Sequence, residues 1–107
     1  VQYPKYVFTI TRKDLDMSYA AVQAGHALYE SASEFYNNKI NKHPHFVLCQ
    51  VKNENKLLYW ISKLESENIQ FVIWKEPDLN NQITAISTEI LTNDKIKIFK
   101  KLKLLGK

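Results

Sequence analysis

The sequence predicts an α/β fold: a mixed four-stranded sheet, three parallel strands plus one antiparallel, flanked by helices in the order β-α-β-α-β-β-α. Three observations lead there. Four runs of β-branched and aromatic residues, six or seven long, are spaced along the chain. Two of the intervals are long enough for helical crossovers, which imply parallel pairing among the first three strands with right-handed connections. The interval before the fourth run is too short for a crossover, so the fourth strand runs antiparallel.

The first strand is Tyr6-Val7-Phe8-Thr9-Ile10-Thr11, closed by Arg12-Lys13-Asp14. Asp16 and Ser18 are candidate N-caps for a helix over 19–36. Ala21, Ala24, Gly25, Leu28, Ala32 and Phe35, three or four apart, form its expected buried face, and Asn37-Asn38 stops it. A polar connection over 39–45 ends in His43-Pro44-His45. The second strand, 46–51, is apolar enough to be central. Asn53 or Asn55 opens a helix with Leu57, Leu58, Ile61 and Leu64 on one face, ending near Asn68. The third strand is 69–74, followed by the turn-rich Glu76-Pro77-Asp78-Leu79-Asn80-Asn81 and a fourth strand over 82–88. Thr92, Asn93 or Asp94 caps a last helix with Ile96, Phe99 and Leu102 as apolar positions. No linker, repeat or low-complexity segment interrupts the pattern, so residues 1–107 read as one domain.

Composition excludes several classes. The chain has two glycines and three prolines and is 45% hydrophobic, which rules out a collagenous or largely disordered protein. A domain of this size buries only about two thirds of its unfolded surface, so a homodimer is a natural way to gain burial. The single cysteine, Cys49, makes no intramolecular disulfide, and no signal-peptide pattern opens the sequence. The expected location is the reducing cytoplasm. No apolar run approaches the roughly 18 residues of a membrane span.

The formal net charge is +4, from fourteen lysines and Arg12 against eleven acids. Six lysines (Lys95, Lys97, Lys100, Lys101, Lys103 and Lys107) fall in the last thirteen residues. Lysine offers a point charge suited to phosphate, without bidentate base reading. The same cluster also suits a solvated helix end complementing its own dipole.

Topology locates the candidate site. Ligands of open α/β sheets bind outside the carboxyl ends of the parallel strands. The first strand feeds the helix carrying His26, and the third feeds Glu76-Pro77-Asp78, so both emerge on one edge. Tyr19, Gln23, His26, Glu30 and Ser33 share one face of the first helix, by spacings of four, three, four and three. An imidazole can both accept and donate a proton, which makes His26 a candidate general base or hydrogen-bond donor. Glu76 and Asp78 place two carboxylates on a proline-stiffened loop, able to orient His26 or a water, or simply to cap a turn. Gly25 sits mid-helix at a cost of about 1 kcal/mol, which points either to tight packing on the sheet or to a close-approaching ligand or backbone. His43-Pro44-His45 fits no standard zinc spacing, Cys49 reads as core, and neither a phosphate-cradling glycine loop nor G-x-S-x-G is present. Tyr59 and Trp60 are candidates for base stacking, with one of them expected in the core.

Taken together, Asp14-Leu15-x-Met17, Ala21-Val22-Gln23-Ala24-Gly25-His26-Ala27 and Glu76-Pro77-Asp78-Leu79-Asn80-Asn81-Gln82-Ile83-Thr84-Ala85-Ile86 resemble the type-2 peptidyl-tRNA hydrolase family, in its bacterial and phage-like branch. The resemblance runs from the first strand to Lys101-Leu102-Lys103-Leu104-Leu105. It implies a mixed-sheet fold that tends to dimerise. It also implies hydrolysis of the ester joining a peptidyl or aminoacyl group to the 3′ end of tRNA, without metal or cofactor. By that resemblance His26 activates or positions water, and Asp78, or Glu76 beside it, is the loop carboxylate. Asn81 or Thr84 falls near the family's active-site threonine, and Tyr19 stands where the family carries a lysine. Arg12, Lys13 and the C-terminal lysines such as Lys100 and Lys101 would then hold tRNA phosphates, with Gln23 and Asn81 also on the substrate side. Two other readings stay open on the residues: a non-catalytic binder of tRNA ends or nucleotides, and a homodimeric interaction module using Tyr59, Trp60 or Trp74.

Overall fold

The computed structural model describes residues 4–35 and 43–107. Its strands are β1 (Tyr6–Arg12), β2 (His45–Val51), β3 (Phe71–Glu76), β4 (Gln82–Thr88) and the two-residue β5 (Lys103–Leu104). The helices are α1 (Met17–Phe35) and α2 (Glu54–Ser66), and 3₁₀ segments occupy Pro77–Leu79 and Asn93–Phe99. The expected stop of α1 at Asn37-Asn38 lies outside the described residues.

The sheet has five strands in the order β3-β4-β1-β2-β5. Among the described residues only β1 and β2 pair in parallel; β4 is antiparallel to both β1 and β3, and β5 is antiparallel to β2. The sequence expectation of direct parallel pairing among three strands is therefore corrected. β1, β2 and β3 share a direction, but β4 lies between β1 and β3. Burial gives the reason: β4 is buried at six of its seven residues, whereas β3 alternates with exposed positions and suits an edge.

The expected last helix is also corrected. Residues 93–99 form a 3₁₀ segment that leads into β5. Ile96, Phe99 and Leu102 are three apart, the repeat of a 3₁₀ helix, and all three pack on the core. Phe99 stacks on Phe8 with ring centroids 4.0 Å apart and on Trp60 at 5.6 Å.

The two faces of the sheet differ in chemistry. Phe8, Ile10, Ile83 and Ile86 join Leu57, Trp60 and Leu64 of α2 in the hydrophobic core, which also holds Cys49. Trp60 is thus core and Tyr59 exposed, and Leu58, expected inside, is exposed as well. Burial pushes the Cys49 thiol up to about 11, as a core cysteine requires. Asn53 caps α2, its side chain accepting from the Lys56 amide.

The other face is built of alanines and hydroxyls. Ala20, Ala24, Ala27 and Ser31 of α1 are buried against Thr9, Thr11 and Ser87, and Ser31 Oγ and Thr9 Oγ1 both lie within 3 Å of Ser87 Oγ. The buried face of α1 is rotated about one residue from the expected one: Ala24 is inside, but Ala21, Gly25 and Ala32 face outward. A Cβ built on Gly25 meets nothing within 4 Å, so the sheet does not require that glycine.

Candidate active site

The rotation of α1 has a cause in polar chemistry. Gln23, a long amide, is only 1% exposed and occupies the buried face between Ala20 and Ala27. An amide buried without partners is costly. Here both of its ends are satisfied: Gln23 Nε2 donates to Glu76 Oε1 at 2.9 Å, and Thr84 Oγ1 donates to Gln23 Oε1 at 2.7 Å. The carboxylate only accepts, which fixes which way the amide points.

Local irregularities in β3 and β4 aim the two partners. Trp74 pairs with Ala85 and Lys75 with Ile83, which leaves Thr84 without a residue opposite it. Such a β-bulge redirects a side chain and frees a backbone group from the ladder. The Thr84 hydroxyl turns to Gln23, and its carbonyl accepts from Thr11 Oγ1 at 2.9 Å. Glu76 ends β3, is buried, and caps the 3₁₀ turn by accepting from the Asp78 amide. Asn80 and Asn81 then adopt left-handed φ of 54° and 59°, and the Asn81 amide closes the turn on the Glu76 carbonyl. Asparagine tolerates that conformation better than other non-glycine residues, which accounts for the Asn-Asn pair.

Above this buried row lie the remaining α1 residues. His26, one turn on from Gln23, is exposed and stacks on Trp74 with centroids 4.4 Å apart and planes at 17°. Tyr19, one turn before Gln23, is half-buried. Its hydroxyl is pushed up, first by partial burial and then by the negative charges of Glu76 and Asp78, so it remains a neutral O–H donor. Glu30 and Ser33 are exposed.

The other sequence-predicted residues fall in separate places. Asp78 and Asn81 are exposed on the loop, with Asp78 close enough to Tyr19 for its charge to be felt. Arg12 is 6% exposed, and four of its guanidinium N–H groups are engaged. Its Nε and Nη2 donate to the two Asp14 carboxylate oxygens at 3.0 and 2.9 Å, and its Nη1 donates to Gln82 Oε1 and the Ile83 carbonyl. The guanidinium thus ties β1 to β4 and is not turned outward to a phosphate. Lys100 and Lys101 are exposed in the segment leading to β5, at the opposite side of the sheet from β3 and the Gln23 row. Lys97 pairs with Asp94 at 3.0 Å. Trp74 is the residue at this site that the sequence reading left among general interaction aromatics; its place two residues before Glu76, on the same side of β3, is the signal that finds it. Among the described residues no group of three or more histidines, cysteines, aspartates or glutamates could hold a metal ion, and no helix is long and apolar enough to cross a membrane.

The arrangement offers a buried carboxylate with one face toward Gln23, a neutral phenol beside it, and an exposed imidazole held on an indole. Those are the elements of proton transfer and oxyanion stabilisation around a small electrophile. Comparison with known proteins agrees with the fold. A family model described as peptidyl-tRNA hydrolase PTH2 matches residues 5–105. A solved protein of unknown function from Agrobacterium tumefaciens strain C58 superposes with a TM-score of 0.70 at 12% identity, over 96% of this chain and 98% of that one. No curated protein sequence matches significantly.

Proposed function

The chain belongs to the peptidyl-tRNA hydrolase PTH2 family, and from that premise we propose that it hydrolyses the ester between a peptidyl or aminoacyl group and the 3′ end of tRNA in the cytoplasm. The observation that carries the reading is the buried row Thr84–Gln23–Glu76 lying between Tyr19 and His26 at the carboxyl edge of β1 and β3.

In this mechanism the Gln23 amide holds the Glu76 carboxylate in place. Glu76, or His26 above it, takes a proton from the attacking water. The water oxygen bonds to the ester carbonyl carbon, and the carbonyl oxygen becomes an oxyanion. Tyr19 supplies the hydrogen bond to that oxyanion; it brings no positive charge, so the stabilisation is smaller than a cation would give. Collapse of the intermediate breaks the bond to the ribose oxygen, which leaves with the proton that Glu76 or His26 took from the water. Partial burial, and then the charges of Glu76 and Asp78, push the Tyr19 hydroxyl up and favour its protonated, donating form.

The test is release of labelled peptide from peptidyl-tRNA. Wild-type protein turns the substrate over, and His26→Ala lowers kcat by about 10²–10⁴-fold while retaining the wild-type circular dichroism spectrum. A wild-type protein that binds charged tRNA in a salt-dependent way but never releases peptide would replace this reading with that of a non-catalytic binder.

A further inference from the structure

α1 packs on β4, with β3 and β1 to either side, and α2 packs on β4 and β1 from the opposite face. Neither helix is centred over β2. On the α1 side β2 presents Phe46, Leu48 and Gln50, in register with Val7, Thr9 and Thr11, while Val47 and Cys49 between them turn to the hydrophobic core. Phe46 is 52% exposed and Leu48 half-buried. Parallel strand pairs are ordinarily covered on both faces, so an apolar row left open along one is a surface to explain. At Gln50 the row runs into a cavity of about 480 Å³ bordered by Leu15, Met17 and Leu105. Gln50 itself is occupied, accepting from the Gly106 amide and donating to the Lys107 carbonyl. Row and cavity together make an apolar trough along β2.

The dimensions are those of a missing helix. Strands lie about 4.8 Å apart, so β2, two places from β4 in the sheet, is about 10 Å to the side of α1. Packed helices sit about 8–10 Å apart. The seven residues of β2 span roughly 23 Å, the length of a helix of about 15 residues. The near wall is apolar as well. Leu28 follows the buried Ala27 and His26 precedes it, so the two turn to opposite flanks of α1. His26 meets Trp74 on the β3 side, while Met17, three helical turns before Leu28 and on its flank, borders the cavity.

Charge narrows the occupant. Lys13 and Lys107 border the cavity, and Lys103, paired with Gln50, shares its side of the sheet. Among the described residues none of the three forms an ion pair, and no acid borders the cavity. Uncompensated positive charge at one end of the trough suits acidic side chains and the negative C-terminal end of a helix. A second copy of this chain would bring its own net charge of +4 against it. Nucleic acid needs cations along its whole track, whereas the row through Leu48 and Phe46 is apolar.

We propose that the trough along β2 docks an amphipathic helix of a protein partner. Its apolar stripe lies on Phe46, Leu48 and Met17, and its acidic C-terminal turns meet Lys13, Lys103 and Lys107. The surface lies across α1 from Tyr19, Gln23 and His26, so the inference stands apart from the hydrolase reading.

Amide chemical-shift mapping of the full chain tests it, with a synthetic peptide of roughly 18 residues as probe. The peptide carries leucines at i, i+3, i+4 and i+7 and glutamates in its last two turns. It is expected to move the amides of Met17, Leu28, Phe46, Leu48 and Gly106, to leave those of His26 and Trp74 in place, and to bind with a Kd on the order of 10–100 μM. A scrambled peptide of the same composition should bind at least tenfold more weakly. Phe46→Asp should weaken the amphipathic peptide at least tenfold, and so should Met17→Asp, at a second side chain that is 58% exposed and tolerant of change. Reversing Lys13, Lys103 and Lys107 to glutamate should transfer the preference to a peptide with lysines in place of its glutamates. No shifts, shifts confined to the His26–Trp74 flank, or equal binding of the acidic and lysine peptides by the wild-type protein would overturn the proposal. A concentration-dependent dimer that Phe46→Asp dissociates would overturn it in favour of a second copy of the chain. Uncharged tRNA that moves the amides of Phe46 and Leu48 would overturn it in favour of RNA.

Discussion

The Gln23 side-chain amide reaches Glu76 across the α1–β3 interface at 2.9 Å and simultaneously accepts from Thr84, so one residue joins the helix to both strands of a hairpin. Truncation by Gln23→Ala leaves a buried hydroxyl and a buried carboxylate without partners. The expected loss is about 1–3 kcal/mol in urea unfolding, with peptide release reduced well beyond what that stability loss explains. Gln23→Glu is the sharper variant. Two carboxylates at hydrogen-bond distance cannot both ionise, so one must hold a proton. Its destabilisation should be largest at neutral pH and should shrink as pH falls below about 5. A flat pH dependence of the difference from wild type would contradict the geometry.

Thr84 is aimed at Gln23 by the bulge in β4, and its hydroxyl is the last link of the row. Thr84→Val keeps the shape but leaves Gln23 Oε1 buried and unsatisfied. It should cost about 1–2 kcal/mol of stability, whereas Thr84→Ser, which retains the donor, should recover most of the hydrogen bond and of the catalytic rate. Valine and serine variants that behave alike would show that the hydroxyl has no part in the row.

How far this site was legible in the sequence differs residue by residue. The shared edge for His26 and Glu76 followed from strand directions, which local patterns encode. Asn53 as one of two candidate caps and a turn over 76–81 are likewise local chemistry, although the left-handed φ of Asn80 and Asn81 comes from the structure. Gln23 as the buried centre was not legible, because its burial depends on Thr84, sixty-one residues away. The helical stripe put Gln23 with exposed polar residues, and only its long-range partners reverse that. β5 escaped notice for the same reason: two residues, Lys103 and Leu104, pair with Gln50 and Cys49 and carry no strand pattern of their own. The placing of β4 between β1 and β3 shows in hindsight in its near-continuous burial, but pairing partners are non-local and periodicity does not name them.

Asp14 gives a prediction in pH. Its hydrogen bonds from Arg12 hold the carboxyl below the usual range, ahead of the opposing effect of burial. A depressed folded pKa contributes stability that is present above the unfolded value, about 3.9, and is lost as pH falls through the folded value. Asp14→Asn should therefore be less stable than wild type at neutral pH, and the gap should close below about pH 4. Asp14 keeps 42% of its side chain exposed, so solvent screens the pair and the gap should be about 1 kcal/mol or less. A gap that widens on acidification would reverse the sign and exclude this account.

Gly25 separates packing from function. It lies on the exposed side of α1, one position before His26, with φ outside the left-handed region and no atom within 4 Å of a built Cβ. Nothing among the described residues therefore opposes a methyl group there. Alanine has a higher helix propensity and lowers the entropy of the unfolded chain, so Gly25→Ala should stabilise the protein by about 0.4–1 kcal/mol in thermal or urea unfolding. If the glycine serves only the helix, peptide release will be unchanged. If a substrate or a second copy of the chain comes close to the backbone beside His26, the same variant will gain stability as a monomer and lose rate or association. Stability and rate measured on one variant thus decide whether the outward small-residue face of α1 is idle surface or working surface, which the burial pattern alone does not distinguish.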